Sequence, residues 1–260
     1  MRSTAALSAP FLRSMSLLRE RVTSGEFPFT LPFLAGGEFR LEFERPVTFL
    51  VGENGSGKST LLEAIAEQCG FSPQGGHSEH RLSHRFRRPE DDHEEEGERS
   101  SLSRALRMAW KPRVTNGLFF RAESFFGVAR YLDREGSRQY RGTNLHGLSH
   151  GESVLAFLDT RVEDDERNIV LLDEPEAALS PERQMALVTL LHRWHRSGRV
   201  QAIVATHAPI VMAYLGAIIL SLDGDTIRPI EFRDTNHYRR LKSFLDAPER
   251  YLRRLLDDEA

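Results

Sequence analysis

Between residues 38 and 51 the spacing of apolar positions changes period. Phe39, Leu41 and Phe43 alternate with Arg40, Glu42 and Glu44, after which Val47 to Val51 run almost continuously apolar. Alternation predicts a strand with one solvated face, and the continuous run predicts a strand covered on both faces. Beyond Thr60, Leu61, Leu62, Ile65 and Ala66 recur at helical spacing. Order resumes near Leu102. Gly117 to Glu123 reads as a strand that delivers Glu123 to a loop, followed by an aromatic-rich helix over Ser124 to Leu132. Asn168 to Glu174, ending in Ile169-Val170-Leu171-Leu172-Asp173-Glu174, reads as a second buried, parallel strand. Ser180 as N-cap and Pro181 at the first helical position then open a helix whose stripe of Leu187, Leu190, Leu191 and Trp194 reads as core. Residues 201–222 form the most apolar later stretch, but Gln201, His207 and Pro209 interrupt it, so it predicts strand, turn and strand rather than a membrane span. Thr235 to Leu256 predicts two short helices divided near Pro248, with Leu241, Phe244, Leu245, Tyr251, Leu252, Leu255 and Leu256 on their apolar faces. Strands alternating with helices predict an α/β fold around a mainly parallel central sheet.

Composition narrows the class. With 260 residues, 40% hydrophobic and 28% charged, the chain fits one large folded domain and not a disordered or fibrous protein. The 35 Lys+Arg against 38 Asp+Glu leave a formal charge of −3, so any contact with nucleic acid or membrane must be local. Residues 1–20 mix Arg, Ser and Leu without an apolar run, and no export signal is expected there. A single cysteine, Cys69, excludes an internal disulfide and fits a cytoplasmic location. Residues 72–100 stand apart, with His77, His80, His84 and His93, several Arg and an acidic run from Glu90 to Glu98. The histidines lack the ordered spacing of a zinc site, and the segment reads as a polar surface insertion. The basic C-terminal residues Arg239, Arg240, Lys242, Arg250, Arg253 and Arg254 are interspersed with acids and read as a solvated helix face rather than a polyanion site.

Chemistry enters at the end of the first covered strand. Gly52-Glu53-Asn54-Gly55-Ser56-Gly57-Lys58-Ser59-Thr60 has the G-x-x-x-x-G-K-[ST] pattern between a strand and a helix. Its glycines let backbone N–H groups converge on phosphate oxygens, Lys58 reaches the β- and γ-phosphates, and the Ser59 hydroxyl can ligate Mg²⁺. Asp173 and Glu174 are adjacent carboxylates at the end of a buried strand, a costly arrangement unless charge is wanted there. In a nucleotide site, Asp173 serves the Mg²⁺ shell and Glu174 serves as base for the attacking water.

Leu148-Ser149-His150-Gly151-Glu152-Ser153, Ala178-Leu179-Ser180 and Ala205-Thr206-His207 complete an ordered set with these two motifs. Together they resemble the ATP-binding cassette (ABC) ATPase pattern. That resemblance implies a signature loop over Leu148 to Glu152, whose Ser149 and Gly151 contact the γ-phosphate bound by a second protomer in an ATP-dependent head-to-tail homodimer. It also implies that Ala178 to Ser180 cross the dimer interface and that His207 is the switch histidine at the γ-phosphate of its own protomer. Within the superfamily the chain is similar to small stand-alone soluble AAA-type ATPases related to the RecF/SMC branch, over approximately residues 25–257. The blocks Phe119-Phe120-Arg121-Ala122-Glu123-Ser124-Phe125-Phe126, Asp173 to Pro181 and Pro248 to Arg253 carry this likeness. It implies a P-loop NTPase of ABC type with an N-terminal antiparallel β portion, a small helical subdomain at 124–150 carrying the signature, and a C-terminal helical segment at 235–260. The stretch between Lys58 and His150 is too short for the coiled-coil arm of an SMC protein.

Two departures stand out. His150 and Glu152 replace the usual Gly and Gln of the transporter signature, and Glu123 takes the place of the Q-loop glutamine, where it is either a member of the Mg²⁺ and water network or an ordinary loop acid. Phe27, Phe29 and Phe33 all lie near the region of an adenine-stacking ring, with core packing the favoured role for each individually and no single stacking residue assigned. The expected activity is MgATP hydrolysis driving a switch that acts on nucleic acid or a partner protein, without membrane insertion. An ATPase subunit serving a separate membrane chain is the alternative, and a P-loop phosphotransferase is disfavoured by the hydrolytic base.

Overall fold

The computed structural model describes residues 7–73, 76–77, 100–123, 150–163 and 165–257. The helix expected over Ser124 to Leu132, Ser149, and most of the polar segment 72–100 lie outside these residues.

A seven-stranded sheet forms the centre. Its strands are β3 (Val47–Val51), β4 (Gly76–His77), β6 (Gly117–Arg121), β7 (Asn168–Asp173), β8 (Val200–Ala205), β9 (Ile218–Ser221) and β10 (Arg228–Pro229), in the order β10-β9-β3-β8-β7-β6-β4. The five strands β9, β3, β8, β7 and β6 are mutually parallel. The terminal strands β10 and β4 pair antiparallel to their neighbours. Every residue of β3, β7 and β8 is buried, as expected for parallel strands covered on both faces. The short strand β4 falls inside the segment that reads as a surface insertion; two residues of hydrogen bonding to β6 are too few to leave a periodic signal.

A second, three-stranded antiparallel sheet of β2 (Arg40–Glu42), β1 (Leu12–Leu17) and β5 (Leu106–Trp110) supplies the expected N-terminal β portion. Helix α2 (Lys58–Cys69) packs between the two sheets. Its Leu61, Leu62 and Ile65 share one core with Leu12 and Met15 of β1, Leu41 of β2, and Leu50, Leu171 and Ile203 of the large sheet. The sheets are also joined by a polar staple. The fully buried Gln201 accepts from the backbone N–H of Phe11 and Leu12 at 2.7 and 2.8 Å and donates to the Leu12 carbonyl at 3.0 Å. Short helices α1 (Pro32–Ala35) and α3 (Ser101–Ala105) close the edges of this layer.

The opposite face of the large sheet is covered by α4 (His150–Arg161) and α5 (Pro181–Ser197), with α6 (Pro209–Met212) beside them. Leu187, Leu190, Leu191 and Trp194 of α5 are buried against Val170, Leu172, Ala202 and Val204. Ser180 caps α5 by accepting from the Arg183 N–H at 3.4 Å. The C-terminal helices α7 (Asn236–Asp246) and α8 (Pro248–Asp257) divide at Pro248 as predicted. Leu241, Leu245, Tyr251, Leu252, Leu255 and Leu256 remain exposed on them. Among the described residues no helix is long and apolar enough to cross a membrane.

Candidate nucleotide site

Parallel strands place their C-terminal ends on one edge of a sheet, and that edge is where an open α/β fold binds ligands. Here β3 ends in the 52–60 loop, β7 in Asp173-Glu174, β8 in Thr206-His207 and β6 in Arg121 to Glu123. Because β8 lies between β3 and β7, His207 emerges between the phosphate loop and the paired carboxylates. A cavity of about 640 Å³ opens there, lined by Phe27, Leu31, the 54–60 loop, Glu174 and His207.

The loop conformation depends on glycine. Gly57 takes φ of +92°, and a Cβ on it would lie 2.8 Å from a methyl of Leu31 and 3.0 Å from the Phe33 ring. The loop can therefore turn directly into the N-terminus of α2, whose free N–H groups and dipole favour an anion. Lys58 Nζ donates to the carbonyls of Gly52 and Glu53 at 2.8 and 3.0 Å. Burial pulls its pKa below the usual lysine value, opposed by the fields of Glu174 and Asp173. A phosphate entering the loop would offer this buried ammonium a direct anionic partner.

Ser59 Oγ lies 3.0 Å from Asp173 Oδ1. A hydroxyl and a carboxylate converging from two elements make a hard-oxygen pair suited to Mg²⁺, so the residues present fit that ion. Burial raises the Asp173 pKa, while the Ser59 hydrogen bond and then the Arg121 charge counter it. Arg121 is the residue that neutralises this corner. Its Nη1 is 2.5 Å from Glu63 Oε1 and its Nε 3.5 Å from Asp173 Oδ2. Glu123 is 90% exposed, 3.9 Å from Arg121 Nη2, and the structure does not bring it to the Ser59–Asp173 pair.

Glu174 adopts φ of +49°, the single positive φ at a non-glycine residue among those described. Its N–H donates to the Ala205 carbonyl at 3.0 Å, which pins the turn, and its carboxylate Oε1 stands 3.4 Å from His207 Nε2. Strained backbone of this kind persists where the surroundings over-determine it, commonly at reactive positions. The His207 loop is organised by Glu176, a residue to which the sequence pattern assigns no role. Glu176 Oε1 accepts from Thr206 Oγ1 at 2.8 Å, from the His207 N–H at 2.6 Å and from the Ala208 N–H at 3.2 Å. Burial raises its pKa and the His207 hydrogen bond opposes the rise. Burial lowers the pKa of His207, so the neutral ring is favoured.

Of the three candidate stacking rings, Phe29 and Phe33 are core residues at 3% and 2% exposure, whereas Phe27 is 68% exposed and lines the cavity. Gly151, in the first turn of α4, is buried within its own chain. A Cβ there would lie 2.6 Å from Arg183 Cδ and 3.0 Å from the Ala178 carbonyl, and Arg183 pairs with Glu152 at 2.8 Å. The 178–180 turn and the start of α4 therefore form one packed unit. Nothing local in the sequence marks that contact, since it depends on how α4 and α5 lie across the sheet.

A family model described as an AAA domain matches residues 31–168. The thiamine import ATP-binding protein ThiQ of Brucella suis biovar 1 is 28% identical over 201 residues, covering 74% of this chain and 82% of that protein. ThiQ of Brucella melitensis biotype 1 matches to the same extent. Among solved structures, the SMC head domain from Thermotoga maritima aligns with a TM-score of 0.45 at 17% identity, covering 85% of this chain and 99% of that one. CbiO1 of the Clostridium perfringens cbiONQ ABC transporter complex aligns at 0.46 and 16%, covering 95% and 99%. The family match covers more than half of the chain and makes it a member of the AAA domain family, on a fold whose parallel strand ends converge at a phosphate loop.

Proposed function

We propose that the chain hydrolyses MgATP at a composite site closed by two copies arranged head to tail. The observation that carries this reading is Glu174, held within 3.4 Å of His207 over the cavity that Lys58 lines. The phosphates lie on the 52–60 loop with Lys58 against the β- and γ-groups, and the adenine stacks on Phe27. Ser59 and Asp173 would hold Mg²⁺, which would supply charge neutralisation to the phosphates. Glu174 orients a water and takes its proton as the water oxygen bonds to the γ-phosphorus and ADP leaves, a role worth about 10²–10⁴-fold in rate. His207 donates from Nε2 to the γ-phosphate. Ser149 of the second copy caps the same phosphate, while Gly151 allows the close packing of that turn on Arg183 and the Ala178 carbonyl of its own chain; closure on ATP followed by opening after hydrolysis is the mechanical output.

The output has two readings. The likeness to ThiQ, whose name describes a thiamine import ATP-binding protein, supports an ATPase subunit that drives a separate membrane chain over a switch acting on nucleic acid. Retention of the chain on membranes from its source, with turnover unaffected by DNA, is the result expected of that reading; DNA-stimulated turnover of the free protein is the result expected of the other. The core proposal is tested with Glu174→Gln. Light scattering of this variant should show mass doubling with MgATP and not without it, and phosphate release should fall at least about 10²-fold. Wild-type turnover in the variant removes Glu174 as the base, and a persistent monomer with MgATP removes the two-copy site.

A further inference from the structure

The first turn of α7 reaches the switch loop. His237 Nε2 lies 2.8 Å from His207 Nδ1, with the ring centroids 4.9 Å apart and the planes at 63°. Two imidazole nitrogens at that separation form a hydrogen bond only when one carries the proton and the other the lone pair. The other side of His207 decides which. Its Nε2 faces Glu174 Oε1 at 3.4 Å, and an ionised carboxylate only accepts. The proton therefore belongs on Nε2 of His207, its Nδ1 presents the lone pair, and His237 Nε2–H is the donor.

Glu176 fixes the backbone of His207 but leaves its ring free to rotate and to change tautomer. His237 removes both freedoms. It is itself well anchored: Thr235 caps α7 by accepting from the Tyr238 N–H at 3.2 Å, and Arg240, on the next turn, pairs with Glu53 of the phosphate loop at 2.9 Å. We propose that His237 is a positioning residue of the ATPase, holding His207 as the Nε2–H tautomer with that proton aimed at the γ-phosphate. This rests on the reading of His207 as the phosphate contact given above. The C-terminal helix thereby becomes part of the ATP site, tied to the sensor through His237 and to the phosphate loop through Arg240.

The test compares His237→Leu, His237→Gln and His207→Leu in the full chain by steady-state phosphate release with MgATP. A hydrogen-bond partner that orients a functional histidine in this way is worth about 10–100-fold. His237→Leu should lower kcat about tenfold or more with the ATP KM changed less than about threefold, because it removes a donor without touching the nucleotide. His237→Gln keeps an N–H at the position of Nε2 and should restore kcat to within about threefold of wild type. Histidine labelled with ¹⁵N reports the tautomer of His207 directly and independently of turnover. His207→Leu impaired while His237→Leu keeps wild-type kcat overturns the positioning role alone. His207→Leu with wild-type kcat overturns the reading of His207 and the positioning role with it. The Nδ1–H tautomer on His207 in the wild-type protein, or no rescue by Gln, also overturns the proposal.

Discussion

The carboxylate of Glu176 receives the backbone N–H of His207 at 2.6 Å, so the third residue after Glu174's partner Asp173 decides where the loop at the end of β8 sits. Two more donors, Thr206 Oγ1 and the Ala208 N–H, converge on the same oxygen. Glu176→Ala strands the Thr206 hydroxyl proton and the His207 N–H in a part-buried site, where each unpaired group costs about 1–3 kcal/mol before relaxation and water entry, while the Ala208 N–H keeps Thr206 Oγ1 at 3.1 Å. Urea unfolding should show a loss of about 2 kcal/mol, and phosphate release should fall about tenfold or more while nucleotide binding is retained. Unchanged turnover would detach Glu176 from the His207 loop.

Arg121 pairs with both Glu63 and Asp173, and removing it leaves the repulsion between these two carboxylates uncompensated by the cation that touches both. Arg121→Gln should lower stability at neutral pH by about 2 kcal/mol, less than a fully buried pair because the guanidinium is partly exposed. The pH dependence has a defined sign. Asp173 and Glu176 have pKa values raised by burial above their ordinary 3.8 and 4.5, so between those values and the raised ones the folded state binds more protons. Stability from these two groups is greatest below that window and is lost as pH rises through it. His207 and His237, lowered from 6.5 by burial, act oppositely and lose stability as pH falls below 6.5. Loss of the Arg121 charge raises Asp173 further and extends the first window upward. Urea titrations across pH on Asp173→Asn should show the Asp173 share of the falling slope removed, and in Arg121→Gln the slope should persist to higher pH.

Glu174 sits in the left-handed region, where an L side chain costs roughly 1–2 kcal/mol. Glu174→Gly should keep the fold and raise thermal stability by about 0.5–1 kcal/mol, while hydrolysis disappears. Differential scanning calorimetry alongside phosphate release checks this. A destabilised Gly variant would mean that the Glu174 side chain contributes more to folding than its backbone strain removes.

Gly117 opens β6 with φ of +135°, and a Cβ there would lie 1.9 Å from the backbone oxygen of Ile169 on β7. Backbone cannot yield as a side chain can. Gly117→Ala should therefore cost about 3 kcal/mol or more and displace β6 from β7, moving Arg121 away from Asp173. Expression with a native-like melting transition would contradict this contact.

Much of the site was legible because its parts are local. The phosphate loop, the Asp173-Glu174 strand end and the Leu187-Leu190-Leu191-Trp194 stripe each occupy a few consecutive turns or strand residues, and all are found where their patterns place them. Partnerships made across the sheet order left no such trace. Glu176 reads as one more acid in a short turn until β8 is seen beside β7, and His237 reads as a helix residue until α7 is seen folding back on His207. Phe27, Phe29 and Phe33 look alike in sequence, and their exposure alone separates them. Arg121 belongs to no motif, and its pairing with the buried carboxylate of Asp173 arises only because β6 lies beside β7.

The staple made by Gln201 joins two sheets that share no strand. A fragment beginning after β1 would leave that amide, together with the inner surfaces facing Leu12 and Met15, bare to solvent on the strand that leads to His207. The large sheet is thus not a minimal nucleotide-binding unit to which an antiparallel layer has been added. Dissection, grafting or circular permutation of this chain must carry both sheets together, because Leu12 of β1 holds the Gln201 amide on the strand that leads to His207.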